Sequence, residues 1–240
     1  MGTEITLPSG RKAEITPIDG KTERLLEDKE LLRNGTLIDK YLASRIESLD
    51  GDSSLTPQQK EKEVLDMRTG DRNFLLYEIR IDSYGPGMTF NYQCPSCKKT
   101  SGYQIDLRKL LDDETIKVHP YRDGPLRVEL PRSGGYAVID YMTGREERKG
   151  AQLKGNPISG TILIRVKELN GRPPTLKDYD ALIGEDLAVI RGGIKEMENG
   201  GLFPTLELTC LDCGNEYPAD LRSIIDFFAP TKTSTGSAGP

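Results

Sequence analysis

Tryptophan is absent from this chain, and histidine occurs once, at His119. A single imidazole removes most histidine-based catalytic arrangements, and its position before Pro120 in a polar stretch reads as an ordinary surface site. No glycine-rich phosphate loop, Gly-x-Ser-x-Gly elbow or His-Glu-x-x-His pair occurs. With no acid, base and nucleophile set in view, the expectation is a protein that is not an enzyme and has no small-molecule substrate; Asp112-Asp113-Glu114 reads as a solvated turn. Long apolar runs are missing as well. Thr161-Ile162-Leu163-Ile164 is far short of the roughly 20 residues that cross a bilayer, so no membrane partner is expected. Nor is there an excess of positive charge: a formal net charge of −5 and a pI near 5.2 disfavour nucleic acid, whose phosphates need a basic face. Met1-Gly2-Thr3-Glu4-Ile5-Thr6 fits the N-myristoylation pattern, but without a polybasic companion it reads as a chance match.

Cysteine is scarce but patterned. All four residues fall in two Cys-x-x-Cys pairs, Cys94/Cys97 and Cys210/Cys213, each inside a version of the same short sequence. The first version runs Phe90, Tyr92, Cys94-Pro-Ser-Cys97, Tyr103, Asp106, Leu107; the second runs Leu206, Leu208, Cys210-Leu-Asp-Cys213, Tyr217, Asp220, Leu221. Alternating apolar residues entering each pair and a polar turn leaving it describe a strand, a knuckle and a return strand. Two knuckles face to face offer four thiolates at tetrahedral corners about 2.3 Å from a zinc ion, with no position left for water, so the expected cofactor is structural Zn2+ held by Cys94, Cys97, Cys210 and Cys213. Two disulfides or a redox pair are the alternatives. A redox pair normally opens a helix, whereas strand-like runs precede these, and the expected lack of a secretory leader argues against an oxidising compartment. Residues 98–209 separate the pairs, far more than the roughly 15–20 of common zinc ribbons, so the ribbon is expected to be split.

The remaining patterns divide the chain. Ile5, Leu7, Ala13 and Ile15 around Pro8-Ser9-Gly10-Arg11 predict a hairpin within residues 1–19. Leu25/Leu26, Leu31/Leu32, Leu37/Ile38, Tyr41/Leu42, Arg45/Ile46 and Leu49 follow helical spacing, and Thr56-Pro57-Gln58-Gln59 is a capping box. Thr69-Gly70-Asp71 restarts a segment with Phe74, Leu75, Ile79 and Ile81 that ends at Tyr84-Gly85, which predicts a helical bundle over 20–85. The split ribbon takes 86–107 and 202–228, with Phe227 and Phe228 as core. Between its halves, 108–201 reads as a mixed insertion subdomain with strands at 116–118, 126–130, 136–141 and 161–167, a loop or short helix at 145–149, and helices from Thr175 to Met197. Residues 229–240 read as a flexible tail. The expected class is α+β.

A Leu7-Pro8-Ser9-Gly10 start, short helices, Gly70-Asp71-Arg72-Asn73-Phe74-Leu75-Leu76 leading to Arg80 and Tyr84-Gly85, and an aromatic strand into Cys94 resemble the baseplate proteins of contractile-tailed bacteriophages and related contractile injection systems. The likeness spans roughly residues 3 to 107, with a second anchor from Leu206 to Phe228. It implies a structural virion component that works through contacts with other baseplate or tail-hub proteins and is assembled in the bacterial cytoplasm. By position it carries over Gly70, Asp71 and Arg72 as a helix-restarting motif, Arg80, Tyr84 and Gly85 as the turn before the knuckle, and the four cysteines as metal ligands, with no catalytic residue. A zinc-ribbon nucleic-acid factor, for which Lys98-Lys99 would speak, and a tail-assembly chaperone are the competing readings.

Overall fold

A computed structural model describes residues 2–152, 157–198, 200–223 and 225–230; the tail expected at 229–240 lies mostly outside them. The chain is mixed α and β, with small antiparallel sheets. Strands β1 (Thr3–Thr6) and β2 (Lys12–Ile15) form the expected hairpin, and a third strand, β3 (Ile46–Leu49), joins β2. Helices α1 (Gly20–Leu25), α2 (Lys29–Asn34) and α3 (Leu37–Arg45) fill the gap between β2 and β3. Helix α4 (Pro57–Asp66) opens with the capping box read from Thr56 and Gln59, and α5 (Thr69–Tyr84) stops where Gly85 takes φ +80°. The first knuckle is the hairpin β4 (Gly87–Gln93) and β5 (Thr100–Asp106), followed by α6 (Leu107–Asp112).

One expected helix is shorter than its periodicity. The apolar spacing of Ile46 and Leu49 continues α3, but both residues lie in β3, where Leu49 sits opposite Ala13 and Ile46 opposite Ile15. Burial of both against β2 outweighs local helical preference.

After β6 (Val118–His119), the second half repeats this order. Strands β7 (Leu126–Glu129) and β8 (Tyr136–Ile139) form a hairpin; α7 (Gly144–Gln152) and α8 (Pro157–Arg165) follow; β9 (Val166–Leu169) pairs with β8; then come α9 (Leu176–Ala181) and α10 (Gly184–Glu196). After β10 (Gly201–Leu202), the strands β11 (Thr205–Thr209) and β12 (Glu216–Asp220) form the second knuckle, and a 3-10 turn, Leu221–Ser223, leads to α11 (Ile225–Phe228).

The correspondence reaches individual hydrogen bonds. Leu7 and Gly10 close the first hairpin turn (Leu7 N–H to Arg11 O, Gly10 N–H to Leu7 O), as Leu130 and Gly134 close the second (Leu130 N–H to Gly135 O, Gly134 N–H to Leu130 O). Ala13 faces Leu49 as Ala137 faces Leu169, and both sheets shift register at the next residue pair. Asp50 (φ 52°) and Gly51 turn the chain after β3, and Asn170 (φ 52°) and Gly171 do so after β9. The side chains of Asp50 and Asn170 accept from the N–H of Lys12 and Tyr136 at 2.9 and 2.8 Å. Thr56 and Thr175 both cap through a capping box. Asp71 and Asp186, each in the first turn of its helix, accept from the turn of their own hairpin, at Ser9 and at Arg132 and Ser133.

Two expectations for the middle of the chain change accordingly. The strand predicted over 161–167 is helix to Arg165 and strand only from Val166, the same helix-to-strand switch made at Arg45 and Ile46; Arg145-Glu146-Glu147-Arg148-Lys149 is helical, within α7. Of the strand expected at 116–118, Val118 belongs to β6, which pairs with β10.

The apolar residues form two clusters. The larger joins Ile15, Leu42, Leu75, Tyr77 and Phe90 to Leu206, Leu208, Tyr217 and Phe227, so both knuckles share one core with the first half. The smaller gathers Ala137, Ile139, Val166, Ile190 and Ile194 beneath the β7–β8–β9 sheet. Phe227 and Phe228 are core as expected; Phe228 meets Tyr41 edge-on and Phe227 packs on Tyr77. Arg72 and Arg80 find partners within the chain. Arg72 is 2.7 Å from Asp39 and 3.0 Å from Glu147, tying α3 and α5 to α7, while Arg80 donates to the carbonyls of Gly85 and Gly87 and stacks on Tyr84.

Candidate metal centre

Each cysteine pair sits at the tip of its hairpin, and the turn is built twice in the same way. Cys94 N–H donates to Lys99 O and Lys98 N–H to Cys94 O; in the second knuckle Cys210 N–H donates to Asn215 O and Gly214 N–H to Cys210 O. Lys98 (φ 64°) and Gly214 (φ 71°) hold the left-handed position that this turn requires. Glycine adopts that conformation freely, whereas at Lys98 it costs roughly 1 kcal/mol.

The sequence motif pairs Tyr103 with Tyr217, but the strand registers do not. Tyr92 lies opposite Ser101, and Leu208 opposite Tyr217. Tyr217 therefore matches buried Ser101 in the first hairpin, and Tyr103 sits two pairs farther out, opposite Phe90, in strands of seven residues each against five in β11 and β12. The offset lets the hairpins clasp. Tyr92 stacks on Tyr217 with centroids 5.7 Å apart, the Tyr103 and Tyr217 hydroxyls meet at 2.8 Å, and Tyr103 also donates to Thr209 O. Lys99, which could have spoken for nucleic acid, is engaged by Asp212 of the other knuckle at 2.8 Å. The tyrosines and the charged pair were visible in the sequence as motif members, but strand alternation gives no sign of which hairpin each would contact.

The four sulfurs come together. All lie within 4.8 Å of one another, with Cys94 Sγ 3.8 Å from Cys213 Sγ and Cys97 Sγ 3.7 Å from Cys210 Sγ. Four ligands at about 2.3 Å from a tetrahedral ion have sulfur–sulfur edges of about 3.8 Å, whereas a disulfide requires about 2.05 Å. The thiols are free. Their titration is split: N–H groups of Cys213 and Asp212 pull the Cys210 thiol down to about 6. At Cys97 the Lys99 N–H lowers the value, but burial and the neighbouring thiols outweigh it and push it up to about 11. Four sulfurs so close cannot all ionise without a cation among them.

Cys94 and Cys210 are buried, Cys97 is partly buried and Cys213 is exposed, while His119 lies on β6. Gly70, Asp71 and Arg72 do open α5.

Residues 2–135, more than half of the 240, match the family model described as T4 bacteriophage base plate protein. The chain belongs to this family. Base plate membership places it among the structural components of phage tails, and no helix of the described residues is long and apolar enough to cross a membrane. The matched base plate region contains the first knuckle and ends in the turn between β7 and β8, so Cys210 and Cys213 lie beyond it. No curated protein and no solved structure matches the chain.

Proposed function

We propose that this base plate protein is a non-enzymatic scaffold whose two halves are pinned by one structural zinc ion bound to Cys94, Cys97, Cys210 and Cys213. The observation that carries the reading is the sulfur geometry: two knuckles distant in sequence present their thiols at edges that suit a tetrahedral ion. The hairpins then form a split zinc ribbon, with the N-terminal helices packed behind the first knuckle. The domain division follows as 1–19 hairpin, 20–85 helical region, 86–107 and 202–228 ribbon, and 108–201 a subdomain built on the plan of the N-terminal half. A site closed by four protein ligands leaves no open position for substrate or water, which supports a holding role. Zinc contributes on the order of 10 kcal/mol to folding in such sites. The protein acts by fitting against neighbouring baseplate or tail-hub proteins in the tail, after assembly in the bacterial cytoplasm.

The test has two parts. Elemental analysis of purified full-length protein should give about one zinc per chain, and mass spectrometry of purified tails should find the chain. Folded protein without metal would overturn the zinc reading, and absence from finished particles would overturn the scaffold reading in favour of an assembly chaperone.

A further inference from the structure

The two halves are built alike, so each residue of one can be compared with its counterpart in the other. Arg45 ends α3, and Arg165 ends α8. Arg45 uses all three guanidinium nitrogens: Nε donates to the Ser44 hydroxyl, Nη1 to Pro17 O at 2.7 Å and Nη2 to the Asp19 carboxylate at 3.3 Å. In the second half, Ile164 stands in the place of Ser44 and Thr143, the residue before α7, stands in the place of Asp19. The acceptors of Nε and Nη2 are both gone. Among the described residues, Nε and Nη2 of Arg165 have no hydrogen-bond partner, although the residue is only 4% exposed. Its nearest ion-pair partner is Glu198, 3.7 Å from Nη1, beyond hydrogen-bond distance and itself 54% exposed.

The substitution at 143 is half of a swap. In the first half Asp19 caps α1 and accepts from the Thr22 hydroxyl; in the second the threonine comes first and donates to Glu146 at 2.5 Å. Glu146 is further held by Lys167 at 2.9 Å. The carboxylate that Arg165 would use has thus moved three residues along and is engaged elsewhere. Asp140, Glu146 and Glu198 act on Arg165 through space, but none of them bonds its two unmatched nitrogens.

Arg165 lines a cavity of about 560 Å³, within the range of small-ligand sites. Lys117 and His119 come from the segment around β6, Arg68 lies stacked on the rings of Tyr121 and Tyr141 at 4.5 and 4.9 Å, and among the described residues Glu198 is the only acidic one of the lining. A buried guanidinium with two free donors, two more cations and aromatic walls is the chemistry that receives a carboxylate, because a planar pair of N–H groups matches its two oxygens.

The geometry points to a carboxylate-binding site centred on Arg165 in the cavity between the two halves, its ligand supplying the acceptor that Asp19 supplies to Arg45. The carboxylate can belong to a free small acid or to an acidic residue of a peptide. This inference does not rest on the zinc reading, since no cysteine lines the cavity.

The test uses the full-length protein labelled for arginine side-chain NMR. Succinate, a blocked tri-glutamate peptide and inorganic phosphate are titrated at constant ionic strength while the Arg165 Nε–H resonance is followed. The expected result is a saturable shift with succinate or the peptide, the tighter of the two identifying the source. In Arg165→Gln, followed by calorimetry, affinity should fall at least about tenfold, the loss of a charge-assisted hydrogen bond. The double variant Thr143→Asp/Glu146→Thr transplants the first half's arrangement, keeps Arg165, and should abolish the shift by filling the site from within; it covers the case in which Arg165→Gln fails to fold. No saturable shift with either carboxylate, binding of phosphate alone, or binding unchanged in the double variant would overturn the proposal.

Discussion

Gly70 in the first turn of α5 and Gly201 of β10 meet backbone to backbone. A Cβ on Gly201 would lie 2.5 Å from Gly70 Cα, and one on Gly70 would lie 2.2 Å from Gly200 O. Neither obstacle is a side chain that could swing away. Gly201 also has φ +79°, which a substituted residue rarely adopts. This contact brings the strand before the second knuckle onto the helix before the first.

Gly201→Ala should therefore destabilise the protein by roughly 3 kcal/mol, combining backbone strain with overpacking. Gly214→Ala is the control: its φ is +71° but nothing lies within 4 Å of the added carbon, and the cost should be about 1 kcal/mol. Denaturant midpoints of the two variants decide it; equal losses would mean that the contact with Gly70 is not tight.

On the proposed zinc reading, removing the ion should separate the hairpins. With no tryptophan in the chain, tyrosine emission can be read directly, and chelation should change it as the Tyr92–Tyr217 stack and the Tyr103–Tyr217 hydroxyl contact open. Cys94→Ser and Cys210→Ser should each lose about one equivalent of zinc and start from the altered emission. An emission signal indifferent to chelator would count against a metal clasp.

Arg72 is a buried cation placed between Asp39, also buried, and Glu147. Arg72→Met leaves Asp39 with Arg148 at 2.5 Å as its remaining partner and should cost about 3 kcal/mol, the usual penalty for stripping one side of a buried pair. Adding Asp39→Leu should recover part of that loss. Urea denaturation of the single and double variants measures both; an additive pair of losses would contradict the coupling.

Asp71 and Asp186 occupy matching places but should respond oppositely to pH. Burial raises the Asp71 carboxyl above its ordinary 3.8 against the lowering effect of Ser9. Its contribution is fully present below the unfolded value and is lost as pH rises through the raised folded value, so Asp71→Asn should gain stability relative to wild type over that rise. Burial also raises Asp186, but the N–H groups of Arg132 and Ser133 outweigh it and leave the carboxyl lowered. That stabilisation is present above the ordinary value and fades as pH falls through the lowered one, so Asp186→Asn should lose stability mainly above about pH 4. Chemical denaturation from pH 3 to 7 checks the pair, and parallel curves would refute the assignment.

Features that depend on neighbouring residues were legible in advance. The Thr56–Gln59 capping box, the Leu7–Gly10 turn and the two knuckles each close within a few residues, and the chain's own chemistry sets them. The switch from helix to strand at Ile46 and again at Val166 was not legible, because the apolar spacing there suits both structures and only pairing with β2 or β8 selects the strand. The likeness of the two halves left a short trace, Arg45-Ile46-x-x-Leu49-Asp50-Gly51 against Arg165-Val166-x-x-Leu169-Asn170-Gly171, but the helices before it differ in number and length, and the shared turn and hydrogen bond are what place the two stretches alike.

By itself, then, the sequence determined four sulfurs in two Cys-x-x-Cys pairs and no excess of positive charge, since those follow from which side chains are present and how closely they are spaced. Only the tertiary structure decided that the knuckles meet, that Lys99 faces Asp212, and that Arg165 lacks the carboxylate its counterpart Arg45 has. Each of these is a contact between residues distant along the chain, and such contacts exist only once burial of a shared core has brought them together.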